Sequence, residues 1–196
     1  MSPNSFADWS SYVRDVCRED ILASHTKLGG EGVVVEVDEA LIGRRKSNVG
    51  RPLMGQWVLG GFERGSRKVF FSVIPDRSAA TLLHHIRRNV APGTTIITDC
   101  WKGYSSLRGD PSFRHLTVDH SENAVDPATG EHTLNIERVW REVKSFIPKY
   151  GRGLEQVEGY LAAYQWKRWH PKRGMRLHDF FAAVAKVYPP KPPSLS

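Results

Sequence analysis

Two short runs of β-branched residues, each closed by an aspartate, constrain the fold of this chain more than any other feature. Val33-Val34-Val35-Glu36-Val37-Asp38 follows the glycine break Gly29-Gly30-Glu31-Gly32, and Thr94-Thr95-Ile96-Ile97-Thr98-Asp99 follows Pro92-Gly93. Runs of that length and composition, bounded by Gly and Pro, read as strands. Between them, 56–62 and 68–74 read as two more strands, with a hairpin turn over Glu63-Arg64-Gly65-Ser66-Arg67. Ser78 is placed to cap a helix over 79–90, where Leu82, Leu83, Ile86 and Val90 share one face.

After Asp99 the pattern predicts a short helix over 101–107, a fifth strand over 113–118 and a polar loop over 119–131. A helix over 133–146 follows, ended by Pro148, and then two helical stretches near 154–168 and 176–187. An amphipathic helix over 6–23, with Phe6, Trp9, Val13 and Val16 in phase, precedes everything else. The order β-β-β-α-β-α-β, then helices, predicts an α/β fold built on a mixed five-stranded sheet flanked by helices. The RNase H-like fold uses that order, here with extra C-terminal helices. The expected divisions are a helical segment at 1–32, a core at 33–170, a helix at 171–188 and a proline-rich, unpacked tail at 189–196.

Charge narrows the function classes. The chain carries a formal +7, which points to a polyanionic partner, nucleic acid before a membrane surface. From Arg138 to Arg176 there are ten Lys/Arg against three acids, an excess equal to that of the whole chain. The C-terminal third therefore carries the basic face. No apolar run reaches the ~18 residues of a membrane span, and the charged N-terminus does not read as a secretory signal. Two cysteines, Cys17 and Cys100, exclude a disulfide framework and a four-cysteine zinc ribbon. These readings predict an intracellular protein without membrane contact.

Carboxylates at strand ends face the crevice where open α/β sheets place their chemistry, and Asp38 and Asp99 are read as two such groups. Glu137 lies in a predicted helix whose core side is Ile136, Val139, Val143 and Phe146, with Lys144 two turns later on the same stripe. Three carboxylates form a hard oxygen donor set suited to Mg²⁺ or Mn²⁺. Two such ions about 4 Å apart can activate an attacking oxygen and stabilise a leaving one in phosphoryl transfer. Each residue also has an ordinary reading: an Asp after a strand caps helices and forms turns, and Glu137 and Lys144 fit a solvated helix face. His115, His120 and His132 show no metal-ligand spacing. Spacing alone leaves both readings open.

Several blocks, in order, resemble the Merlin-type transposases and their bacterial insertion-sequence relatives, within the retroviral integrase superfamily. They are Val35-Glu36-Val37-Asp38-Glu39 with Gly43-Arg44-Arg45-Lys46, then Gly55-Gln56-Trp57-Val58-Leu59-Gly60-Gly61, then Asp76-Arg77-Ser78-Ala79-Ala80-Thr81-Leu82. Thr98-Asp99-Cys100-Trp101-Lys102-Gly103-Tyr104 follows, then Val118-Asp119-His120-Ser121 with Val125-Asp126-Pro127-Ala128-Thr129-Gly130 and His132-Thr133, and last Ile136-Glu137-Arg138-Val139-Trp140-Arg141-Glu142-Val143-Lys144. The resemblance implies a DDE transposase that nicks transposon ends and joins them to target DNA, with Asp38, Asp99 and Glu137 as its two-metal triad. It implies Lys144 as the accompanying basic residue, and Asn135 as the substitute third ligand under a shifted alignment. Asp119 and the order Leu134-Asn135 depart from the family pattern. Relatives carry an end-recognising segment ahead of this core, so the resemblance implies a truncated copy, a partial gene or a domesticated derivative.

Arg44, Arg45, Lys46, Arg141, Lys144, Lys149, Arg152, Lys167 and Arg168 are the candidate contacts to double-stranded DNA, at transposon ends and target. Tyr160, Tyr164, Trp166 and Trp169 are interleaved with that charge; their helical spacing favours packing over base stacking. The alternatives to an active enzyme are an idle DNA-binding derivative and a nuclease acting on RNA or hybrids. A possible homodimer follows from analogy only, as does a location with DNA, in the nucleus if the source is eukaryotic.

Overall fold

A computed structural model describes residues 3–24, 26–43, 55–119, 132–148 and 154–189. Five strands form one sheet: β1 Val34–Ile42, β2 Gln56–Glu63, β3 Val69–Ile74, β4 Thr95–Asp99 and β5 Arg114–Val118, in the spatial order β3-β2-β1-β4-β5. The first three form an antiparallel meander, and β1, β4 and β5 run parallel. That order and those directions are the RNase H-like sheet expected from the sequence. Five α-helices accompany it: α1 Pro3–Ser24, α2 Ala79–Asn89, α3 Leu134–Phe146, α4 Leu154–Trp169 and α5 Arg176–Val187. A 3₁₀ helix spans Lys102–Gly109. Among the described residues no helix is long and apolar enough to cross a membrane.

The alternation of β1 distributes its side chains to two cores. Val35 and Val37 join Leu59, Phe70, Leu82, Ile86, Ile96, Tyr104 and Leu107 under α2 and the 3₁₀ helix. Ala40 and Ile42 join Val58, Phe62, Ile136, Val139, Trp140, Val143 and Leu161 under α3 and α4. Ser78 does cap α2, its hydroxyl accepting from the Thr81 amide at 3.3 Å. On the outside, α1 lies against α4 and α5 around Cys17, Ala163 and Trp166. Cys17 and Cys100 are both free thiols, and burial pushes Cys17 up to about 12.

One boundary differs from the sequence expectation, and it lies at Asp38. Asp38 does not end its strand; β1 continues four residues further, to Ile42. The reason is that β1 has two neighbours of unequal reach. Its parallel pairing with β4 stops at Glu36↔Ile97, whereas its antiparallel pairing with β2 runs on to Ile42↔Gln56. Asp38 therefore sits just past the point where β1 leaves β4, and Asp99 sits at the end of β4.

The seat of α3 depends on a missing side chain. Gly60 pairs with Asp38 across β1 and β2, and a Cβ built on it would lie 2.6 Å from Cζ2 of Trp140. The Trp140 ring fills that place and is buried, so α3 rests directly on the backbone of β2. Gly60→Ala is expected to destabilise the protein by about 1–3 kcal/mol through overpacking. Urea denaturation should show that loss, and a Trp140→Phe background should reduce it.

Candidate active site

Asp38 and Asp99 lie on the same face of the sheet. Asp38 alternates in phase with Glu36, Ala40 and Ile42, which face α3, while Ile96 faces α2 and puts Asp99 on the opposite side. Glu137 lies in the first turn of α3, near enough for its charge to reach Asp38. The Asp38 carboxyl is pushed up to about 7. The causes, in order, are its burial and the charge of Glu39, partly countered by the Glu39 amide hydrogen bond, with smaller contributions from Asp99 and Glu137. Its ionisation thus feels carboxylates on three separate elements. Among the described residues, no cation is paired with Asp38 and no three His, Cys, Asp or Glu side chains close into a ready-made ion cage. Facing carboxylates repel one another until a cation joins them, and an all-oxygen donor set of this kind fits a hard divalent ion.

Asp99 also performs the ordinary task of a strand-ending aspartate. Its Oδ1 accepts from the Trp101 amide at 3.1 Å, which turns the chain into the 3₁₀ helix and fixes the carboxylate.

The residue that sequence reasoning missed is Glu36. It is completely buried, yet its carboxylate is satisfied on both oxygens. Oε1 accepts from Arg64 Nε at 2.8 Å and Asn135 Nδ2 at 2.7 Å; Oε2 accepts from the backbone amides of Asn135 and Ile136, both at 3.0 Å. Those two amides belong to the first turn of α3, where Thr133 stands as N-cap without a side-chain cap bond. A strand carboxylate therefore caps the helix from outside, favoured by the positive end of the helix dipole. Arg64 extends the clamp by donating to the His132 carbonyl at 2.8 Å. Asn135, the substitute ligand on sequence grounds, is engaged here as an anchor. The available signal was an acid inside a valine run, which strand alternation by itself makes unremarkable.

Glu39 points to the opposite face. It bonds Arg77 and the Tyr104 hydroxyl, and the Arg77 guanidinium lies between Trp57, 4.3 Å away, and Trp101, 3.9 Å away. Burial, reinforced by Glu39, holds the Tyr104 hydroxyl well above its ordinary range, so it stays a donor.

Of the basic residues singled out, Arg141 and Lys144 are exposed on α3, as is Arg138. Lys167 lies over the Phe146 ring at 4.5 Å, and Arg168 bonds Glu142 and the Tyr164 hydroxyl. Arg44, Arg45, Lys46, Lys149, Arg152 and His120 lie outside the described residues. Tyr164 and Trp166 are buried, Tyr160 packs on Phe146, and the Trp169 indole donates to the Val69 carbonyl at 2.8 Å. His115 bonds Thr98 at 2.9 Å, and burial holds its pKa down.

Residues 27–168 match the sequence profile of the ISXO2-like transposase domain. An uncharacterized transposase-like protein of Haemophilus influenzae is 31% identical over 102 residues, covering 51% of this chain and 80% of that protein. Among solved structures, the catalytic core domain of BIV integrase overlaps with a TM-score of 0.46 at 16% identity, covering 79% of this chain and 97% of that one. The HTLV-2 integrase catalytic core domain in complex with magnesium gives 0.45 at 13% identity, covering 72% and 87%.

The Glu36 clamp predicts a graded response. Glu36→Ala leaves two helix amides and Arg64 without their acceptor and should cost roughly 2–4 kcal/mol in chemical denaturation. Glu36→Gln, which keeps the shape and loses the charge, should cost less. In both, hydrogen exchange should accelerate first at Asn135 and Ile136.

Proposed function

The chain belongs to the ISXO2-like transposase domain family, and from that premise we propose that it is a metal-dependent polynucleotidyl transferase that nicks DNA and joins strands. The observation carrying this reading is that Asp38, held by β1, feels both Asp99 at the end of β4 and Glu137 on α3. In this reading Asp38, Asp99 and Glu137 hold two Mg²⁺ or Mn²⁺ ions. When bound, such ions activate the attacking oxygen and stabilise the leaving oxygen of an in-line displacement at phosphorus.

The remaining steps fall to the chain itself. Glu36 fixes the N-terminus of α3 and with it the direction from which Glu137 approaches Asp38. The Asp99 turn at Trp101 holds the second carboxylate still. Arg138, Arg141 and Lys144 present exposed charge along α3 beyond Glu137, suited to phosphates on either side of the scissile bond. Lys144 in this arrangement orients the DNA strand at the site. The catalytic core is taken as 33–170. Kinship to the Merlin type in particular, double-stranded DNA at transposon ends and target, a homodimer on paired ends, and an intracellular location on DNA all belong to the same proposal.

Asp99→Asn should reduce Mn²⁺- or Mg²⁺-dependent nicking and strand transfer on labelled DNA ends by about a thousandfold or more while leaving the far-UV spectrum unchanged. Equal activity in wild type and variant would falsify the role of Asp99, and no activity in the wild type would overturn the enzyme reading and leave an idle DNA-binding derivative. A second expectation concerns binding alone. Arg141→Ala and Lys144→Ala should each weaken binding similarly across DNA sequences and lower the slope of log K against log salt by about one. Fluorescence anisotropy across a salt series measures that slope.

A further inference from the structure

β3 is an edge strand: β2 pairs with one side of it, and among the described residues no strand lies on the other. The ladder shows which of its groups face outward. The Glu63 amide donates to the Lys68 carbonyl, and hydrogen-bonded pairs recur every second residue along an antiparallel ladder. With Phe62↔Val69 and Trp57↔Ile74 in register, Phe70, Ser72 and Ile74 bond to β2. Val69, Phe71 and Val73 aim their amides and carbonyls away from it. The Trp169 indole satisfies the Val69 carbonyl. Among the described residues nothing meets the backbone of Phe71 or Val73.

A groove runs along that edge, with one cavity of about 500 Å³ and an adjoining one of about 240 Å³, both lined by Phe71 and Val73. Its two walls differ in chemistry. On the Phe71 and Val73 side, α1 and α4 contribute Ile21, Leu22, Leu161 and Ala162, with Arg18, Glu158 and Gln165 also lining that cavity. On the Ser72 side stand Lys27, His85 and Arg88, and the buried His85 Nδ1 has no partner among the described residues. Side chains of an added strand alternate between the two walls.

We propose that this edge takes up an extended peptide from a partner protein, as an added strand whose side chains alternate apolar and acidic. The apolar ones meet the α1 and α4 wall, and the acidic ones meet Lys27 and Arg88. The backbone pairs with Phe71 and Val73. Edge-to-edge pairing with a second copy is disfavoured, because it brings two sets of Lys27 and Arg88 together.

The test uses the full chain and a fluorescein-labelled seven-residue peptide alternating valine and glutamate. Controls replace glutamate by lysine, or N-methylate the backbone at alternate positions. Anisotropy should show saturable binding of the glutamate peptide and at least tenfold weaker binding of both controls. Arg88→Glu should weaken the glutamate peptide about tenfold and improve the lysine peptide. Val73→Pro should abolish binding while preserving the fold, because the amide it removes faces away from the ladder. The proposal is overturned if the glutamate peptide does not bind at millimolar concentration, or if the lysine or N-methylated peptide binds equally well. It is equally overturned if neither variant changes binding, or if sedimentation shows concentration-dependent self-association that Val73→Pro removes.

Discussion

The placement of the acidic cluster depends on one interaction, the buried Glu36 carboxylate at the N-terminus of α3. Burying a carboxylate is costly unless its oxygens are met, and here four donors from two segments, the β2–β3 turn and the first turn of α3, meet them. Glu36 and Asp38 are two residues apart on one face of β1, so they are carried together. Glu137 follows the capped amide of Ile136 by one residue. Fixing the helix end on Glu36 therefore fixes the separation of Glu137 from Asp38 through short, stiff connections. The same arrangement needs Gly60, which pairs with Asp38 and lets Trp140 sit against β2.

The unequal reach of the strands does the rest. Were β1 and β4 paired along their full lengths, Asp38 and Asp99 would lie inside a continuous ladder, with little room between them. Because the pairing stops at Glu36↔Ile97 while β1 continues against β2, β1 and β4 part at the level of both aspartates. Open α/β sheets place their ligands beyond the carboxyl ends of such parallel strands, and α3 packs on β1 beside this point.

Most of the architecture was legible in the sequence because it depends on local signals. The two β-branched runs, the Ser78 cap and the order of elements are all short-range features, and all are present in the fold. Asp99 was readable as a strand end for the same reason. The end of the first strand lies four residues beyond Asp38, at Ile42, because the end of a strand depends on which neighbour continues beside it. Glu36 was invisible because its partners lie 99 and 100 residues further on. In a valine run its charge looks like the exposed half of an alternation. Lys167 and Arg168 read as free charge, yet Phe146 and Glu142 lie against them in space. Pairing of that kind is settled by packing, which composition does not encode.

Pairing also distinguishes the acids of β1 from one another. Within four residues the strand carries Glu36, Asp38 and Glu39. Glu36 is met by Arg64 and a helix end, and Glu39 by Arg77 and Tyr104 on the other face. Asp38, between them, has no cation among the described residues and is the one whose carboxyl rises to about 7. A structural acid is stabilised by partners within the chain, as its two neighbours are. An acid left buried beside like charges is a net cost to the fold. Such a cost persists where something outside the chain removes it, and under the proposed function that something is the cation Asp38 would share with Asp99 and Glu137. The two arginine-paired neighbours thus serve the unpaired one: Glu36 holds α3 on β1, and Glu39 ties β1 to Arg77 and Tyr104, so that the repulsion is not relieved by moving apart.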